Sequence, residues 1–358
     1  MGVSRRNNLK YEKSNILFLS SKYLALVWKR TVQKVGSGSF LVTLPKTWVE
    51  QNGIREGSIV TMLVGKEGSL IIMPEGENRL VEDRVEIDLS RKILMPQDAL
   101  LGSYLLGYNA IILRSDVEFS ANDVSEIRSV VRRLPGAEIS EETLKHIEVR
   151  VLLDPEMVTP EKLVRRQNSL TTSMISDCIK ALIDWDPVLA ERVIERDDEV
   201  DRQYFIAVRV IRSAFRNPEL LAKMNMDFLK LMDLRMLVKY VEDSADQCVQ
   251  ISREVKKCEK SSKVELLNLK TIGDTLSDVH FRSVELFNSF NYDELQGLIK
   301  KYAEIENSIL GLEKKTEHWA KKVNLARIFN SLTKILENAK DIAELASTQA
   351  FRTGLLNP

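Results

Sequence analysis

The chain has 358 residues, 44% hydrophobic and 29% charged. That excludes a disordered or membrane-embedded protein and leaves material for two or three packed domains. Lys and Arg number 52 and so do Asp and Glu, so binding of polyanions over the whole surface is excluded, while a local basic patch is not. Cys178, Cys248 and Cys258 share no metal-type spacing and leave an odd thiol, which points to a reducing cytoplasm rather than a disulfide framework. His146, His280 and His318 are far apart in sequence and leave little for histidine-based catalysis.

Residues 1–28 carry Arg5, Arg6, Lys10 and Lys13, then Ile16-Leu17-Phe18-Leu19. Ser20-Ser21-Lys22 breaks the apolar run too soon for a secretory signal or a membrane span, so this stretch reads as an N-terminal extension. Residues 29–75 read as β-rich. Arg30 to Val35 alternates polar and apolar residues, Gly36-Ser37-Gly38-Ser39 turns, and Phe40 to Leu44 is a second strand. No Gly-Lys-Ser/Thr follows those glycines, so they are not a phosphate loop. Pro45 opens a short helix over 46–52 that stops at Gly53. Ile59 to Val64 and Ser69 to Met73 form a hairpin. Residues 76–158 mix strands (85–89, 110–113, 137–139, 147–153) with helices (97–106, 122–134) in a small α/β domain. After Thr159-Pro160 glycines are few and apolar residues recur at three-and-four spacing. Six helices follow over 161–183, 187–214, 226–257, 262–290, 292–322 and 324–349. Cys178, Cys248, Trp48, Met224, Met226, Met232 and Met236 read as core.

The helical half contains an internal repeat. Leu237-x-Lys239-x-x-Glu242-x-x-x-Asp246 matches Leu332-x-Lys334-x-x-Glu337-x-x-x-Asp341, 95 residues on. Val193-Ile194 and Val200-Asp201 match Leu298-Ile299 and Ile305-Glu306, 105 residues on. The difference between the offsets locates an insertion near Arg216-Asn217-Pro218-Glu219. Asp197/Asp201, Glu242/Asp246 and Glu337/Asp341 each place two carboxylates one turn apart on a helix face, where like charges repel unless something positive compensates. A hard cation does this, and packed helices of a bundle bring two such pairs into one site. Spacing alone carries no weight, because Glu191/Glu195, Asp274/Asp278 and Glu313/Glu317 share it. The repeated register is what singles out the three pairs.

With Asp197-Asp198-Glu199-Val200-Asp201, Tyr240-Val241-Glu242-Asp243-Ser244-Ala245-Asp246 and Leu336-Glu337-Asn338-Ala339-Lys340-Asp341 in view, the helical half resembles the PhoU family of phosphate-uptake regulators. The resemblance implies metal ligands at Asp197, Asp201, Glu242, Asp246, Glu337 and Asp341, with Glu306 in the fourth motif. The metal would be iron, zinc, manganese or magnesium. Tyr302 stands where that fourth motif has its first acid, which implies a weaker or single-copy site. Residues 29–75 resemble the SpoVT/AbrB family through Val32-x-x-Val35-Gly36, Val42-x-Leu44-Pro45-Lys46-x-x-Val49 and Gly53-Ile54-x-x-Gly57-Ser58-x-Val60. That family forms swapped-hairpin dimers that often bind DNA. Its arginine positions hold Ser39 and Val49-Glu50 here, so the DNA-binding set is Lys29, Arg30, Lys34 and Lys46. The module carries six basic and four acidic side chains, a net +2, which is modest for phosphate contacts.

The order of modules is similar to that of archaeal-type phosphate-uptake regulators. The expected fold class is multidomain α+β: a swapped-hairpin β module (29–75), a small α/β domain (76–158), and all-α tandem three-helix bundles (159–258 and 259–358). The expected function is a phosphate-responsive regulator rather than an enzyme. It would be cytoplasmic and homodimeric, placed on promoter DNA, without membrane insertion, and partnered by a phosphate-transport ATPase or a sensor protein. The alternative is an adaptor that acts on a phosphate transporter complex without touching DNA. A carboxylate-based metal hydrolase is a third class, with no base or Lewis-acid pocket in the sequence to support it.

Overall fold

The computed structural model describes residues 28–65, 68–74, 84–90, 95–257, 267–316 and 325–352. Apart from Trp28, the expected extension lies outside them, as do Cys258 and His318. The chain divides into two compact units, Met1–Thr61 with Ile72–Glu75 and Met62–Ile71 with Gly76–Pro358.

In the first unit, β1 (Gln33–Val35) pairs antiparallel with β2 (Ser39–Leu41), placing Lys34 opposite Phe40. The turn between them uses Gly36 at φ +65°, a conformation glycine adopts without a Cβ clash. Pro45 precedes α1 (Lys46–Gln51), and none of the helix's residues is buried. Phe40 is 72% and Ile59 68% exposed, and Val32 and Val35 are exposed too. Among the described residues, β1, β2 and α1 bury no side chain. The strands β3 (Val60–Val64) and β4 (Leu70–Pro74) form another two-stranded sheet.

The second unit contains an α/β layer. Its strands are β5 (Arg84–Asp88), β6 (Ala110–Arg114), β7 (Ala137–Glu142) and β8 (His146–Val151), in the order β5-β6-β8-β7. β5 and β6 run parallel, joined through α2 (Pro96–Leu105), and the other pairings are antiparallel. α3 (Ala121–Arg133) starts with a capping box, Ser120 and Asp123 each bonding the other's backbone N–H, which satisfies two orphan helix donors. Alternation along the strands sends Ile111, Leu113, Ile147, Val149 and Val151 to one face, where they pack with Leu100 and Tyr104 of α2 and Ile127 and Val131 of α3.

The helical half comprises α4 (Pro160–Asp184), α5 (Pro187–Arg216), α6 (Pro218–Lys223), α7 (Phe228–Lys257), α8 (Leu267–Asn288), α9 (Tyr292–Thr316) and α10 (Leu325–Arg352). Proline sits at the first turn of α4, α5 and α6, where its missing N–H has no partner to lose. Asp186 caps α5 by accepting from Val188 and Leu189, and Asn217 caps α6 by accepting from Glu219 and Leu220. The six expected helices are all present over their described residues, and α6 is an unforeseen seventh. It occupies the insertion that the two repeat offsets require.

The repeated Leu237 and Leu332 are fully buried, and one continuous apolar core runs from Val164 on α4 to Ala346 on α10. The two copies thus share a core. α4 and α8 cross so closely that a Cβ on Gly273 would lie 2.7 Å from Ile179 Cγ2. Cys178, Cys248 and Met226 are buried as expected. Met232 and Met236 are 54% and 41% exposed, so their reading as core is corrected: with Leu229 they form an apolar i, i+3, i+7 row on an outer face of α7. Among the described residues no helix is long and apolar enough to cross a membrane.

The α/β layer docks on α5 through a buried arginine. Arg209 is fully buried, and its Nη1 donates to the carbonyls of Tyr104 (2.8 Å) and Tyr108 (2.9 Å) while Nη2 donates to Asn109 Oδ1. Its guanidinium lies 4.9 Å from the Tyr104 ring centroid. Arg209→Ala leaves three acceptors without this donor and is expected to lower stability by roughly 3 kcal/mol, read as a reduced urea midpoint. An unchanged midpoint would show that the docking does not depend on this side chain.

Candidate metal centre

α5 and α7 lie side by side and bring the first copy's acids within electrostatic reach of one another, while the closest approach is among acids of α7 itself. Asp197 is pushed up to about 7, first by burial and then by the charges of Asp201, Asp246 and Glu242. Its buried Oδ1 has no hydrogen-bond partner. Glu242 is also pushed up to about 7, chiefly by burial and against its ion pair with Lys239. Burial raises Asp201 and Asp246 in the same direction, with opposing help from Arg133 and Lys239 respectively. Carboxyl oxygens of Glu242, Asp243 and Asp246 come within 4.8 Å of one another.

Lys239 and Arg133 bond to acids of the cluster, and Arg253 acts on Asp246 as a further positive charge. Lys239 Nζ bonds Asp243 at 2.7 Å and also Glu242. Arg133, from the end of α3, donates to Asp201 Oδ2 at 2.6 Å. The sequence pointed to neither as a cluster member. Lys239 carried a signal, because it recurs as Lys334 in the repeat, whereas Arg133 lies 68 residues from Asp201 in a different layer. An all-oxygen donor set with more negative than positive charge and one buried, unpartnered carboxylate oxygen suits a hard cation.

Among the described residues, the second copy's acids form no group of three as close as that of Glu242, Asp243 and Asp246. Glu306 is tied to Lys340 at 2.7 Å, and Glu337 to Lys334 at 3.4 Å. Asp341 is raised by burial, with Glu344 and Glu337 as its acidic neighbours. Tyr302, at the position of the missing acid, is buried, and its hydroxyl shares a 2.6 Å hydrogen bond with Ser283 and donates to the Ala339 carbonyl. Glu306 and Glu337 thus each face a lysine, as Glu242 faces Lys239 in the first copy, and Asp341 lies beside Glu337 and Glu344. An apolar ring with a satisfied hydroxyl fills the space that the first acid would leave charged, and lysines neutralise the rest.

Elsewhere, Glu141, His146 and Glu148 approach one another on β7 and β8. His146 Nε2 lies 3.7 Å from Glu141, and Arg150 engages Glu148 at 2.9 Å. In the N-terminal unit Lys29, Arg30, Lys34 and Lys46 are all exposed. Lys46 pairs with Glu50 at 3.7 Å, which offsets part of its charge.

Residues 164–255 match the PhoU domain, the stretch that contains the acidic cluster. Residues 33–80 match the domain described as antidote-toxin recognition MazE, bacterial antitoxin. The chain thus carries a PhoU domain and, at its N-terminus, a MazE/AbrB-like domain. Similar solved structures include PhoU from Pseudomonas aeruginosa, at 20% identity over 53% of this chain and 95% of that one, with a TM-score of 0.44. Another is the phosphate transport system regulatory protein PhoU from Streptococcus pneumoniae, at 16% identity over 55% and 94%, with a TM-score of 0.46. No curated protein matches the chain.

The raised acids fix the sign of a pH effect. Asp197 and Glu242 hold their protons in the folded state up to about pH 7, whereas the unfolded chain sheds them near ordinary carboxylate values. Their contribution to stability is full below about pH 4 and is lost as pH rises toward 7. In chelator-treated protein, Asp197→Asn is expected to raise the melting temperature at pH 8 and to change it little at pH 4. A shift of equal size at both values would contradict the burial of this carboxyl among like charges.

Proposed function

We propose that this chain is a phosphate-responsive regulator of phosphate uptake rather than an enzyme, acting as a homodimer on DNA. The observation that carries the reading is the clustering of Asp197, Asp201, Glu242 and Asp246 within the PhoU match. These four carboxylates would hold a hard cation (iron, manganese, magnesium or zinc), with Asp243 beside them. Such an ion supplies the positive charge that the cluster lacks. The site would lie in the first copy. The helical half would meet a phosphate-transport ATPase or a sensor protein, as the resemblance to phosphate-uptake regulators implies.

Dimerisation is supported by the uncovered Val32, Val35, Phe40 and Ile59. A second copy of the β module is the occupant that completes such a surface in the family it resembles, and it doubles the positive charge of Lys29, Arg30, Lys34 and Lys46. The second reading, an adaptor that never touches DNA, draws on the modest charge of this module and on the Lys46–Glu50 pair.

Metal analysis of purified protein tests the site: wild type is expected to retain an ion that Glu242→Ala/Asp246→Ala loses, and equal content in both would refute the assignment. In sedimentation the wild type is expected to run as a dimer, and Phe40→Asp to shift it toward monomer. Mobility shift with phosphate-gene promoter DNA across a salt series separates the two readings, because phosphate contacts weaken steeply with salt. Absence of a complex even at low salt selects the adaptor.

A further inference from the structure

α5 serves two neighbours. Toward α7 it presents Asp197 and Asp201. Toward the α/β layer it presents Phe205, which packs against both cores, the buried Arg209, and Arg216, which donates to the Leu106 carbonyl at 3.2 Å and lies over the Tyr108 ring. The α/β layer returns one side chain to the acidic cluster. Arg133, the last residue of α3, places Nη2 at 2.6 Å from Asp201 Oδ2 and Nε 4.0 Å from Asp198. The Asp201 side chain is 17% exposed and that of Arg133 54%. A guanidinium from another layer thus sits at the rim of the cluster, on an oxygen that a bound cation would need. Lys239, another bordering cation, is held by Glu242 and Asp243, and Asp197 has only acids for charged neighbours among its leading influences.

We infer that Arg133 is a tethered counter-cation of this cluster, exchanged for a metal ion at Asp201, so that metal loading and the α3–α5 contact oppose each other. The inference rests on the carboxylate-site reading above. A guanidinium stays protonated at any working pH, so it leaves Asp201 by moving and not by losing charge. A half-exposed ion pair is weak, whereas a hard divalent ion draws on several carboxylates at once. The layer as a whole stays docked, because the fully buried Arg209 keeps its bonds to the carbonyls of Tyr104 and Tyr108 and to Asn109 Oδ1. The metal state of the helical bundle is in this way written onto the end of α3, and by linkage the position of α3 alters metal affinity to the same degree.

The test uses the full chain, stripped of metal and titrated with Mn²⁺ by calorimetry, as wild type and as Arg133→Gln, with far-UV circular dichroism confirming the fold of the variant. Arg133→Gln is expected to bind Mn²⁺ about fivefold or more tightly, the lower end of ordinary coupling between sites. In wild type, Mn²⁺ is expected to speed hydrogen exchange across residues 128–136, and in the variant to leave it unchanged. Equal or weaker binding by the variant, or exchange at 128–136 that ignores Mn²⁺ in wild type, overturns the inference and leaves the carboxylate site standing. No Mn²⁺ binding by either protein overturns the site reading and this inference with it.

Discussion

Like charges held together away from water are the constraint around which the helical half is arranged. Packing α5 against α7 buries apolar faces, and the same packing forces four carboxylates from two helices into one neighbourhood. Burial raises each of them, and mutual repulsion adds to it. The structure answers in two ways: bordering cations on Glu242, Asp243 and Asp201, and protons retained on Asp197 and Glu242 near neutrality. What remains is a deficit of positive charge at Asp197, which is the physical content of the metal reading.

The second copy shows the same helical scaffold with that tension removed. Tyr302 replaces an acid, turns inward and satisfies its hydroxyl on Ser283 and the Ala339 carbonyl. Once the first acid is gone, Glu306 and Glu337 are ordinary surface carboxylates, each with a lysine within reach. The repeat thus keeps the packing register, visible in the fully buried Leu237 and Leu332, while one copy holds a tyrosine where the other has an acid.

Much of this was legible in the sequence, and the illegible parts have a common cause. Helix positions follow from a local period and from prolines at first turns, so α4, α5, α7 and α10 appear close to their observed ends. The repeat offsets located the insertion, although they did not reveal that α6 fills it. Tyr302 stood out because the register assigned an acid to its place. Arg209 and Arg133 stood out for nothing. Each is an arginine on a charged helix, and only the docking of one layer on another turns the first into a buried anchor and the second into a partner of Asp201. Met232 and Met236 failed for a related reason: an apolar row on a helix with two such rows does not say which one faces inward. The N-terminal unit gave up its turns through glycine and proline, yet nothing in its pattern foretold that Phe40 and Ile59 would be exposed.

The shared core of the two helical copies has a practical meaning. A break anywhere in the stretch 258–266 would not release two autonomous pieces. Each fragment would display, as an open seam, the leucines and valines that now face the other copy, and Gly273 would lose the close neighbour that justifies it. The duplicated half is packed as one body, and its separate duties are dissected by changing single side chains rather than by cutting the chain.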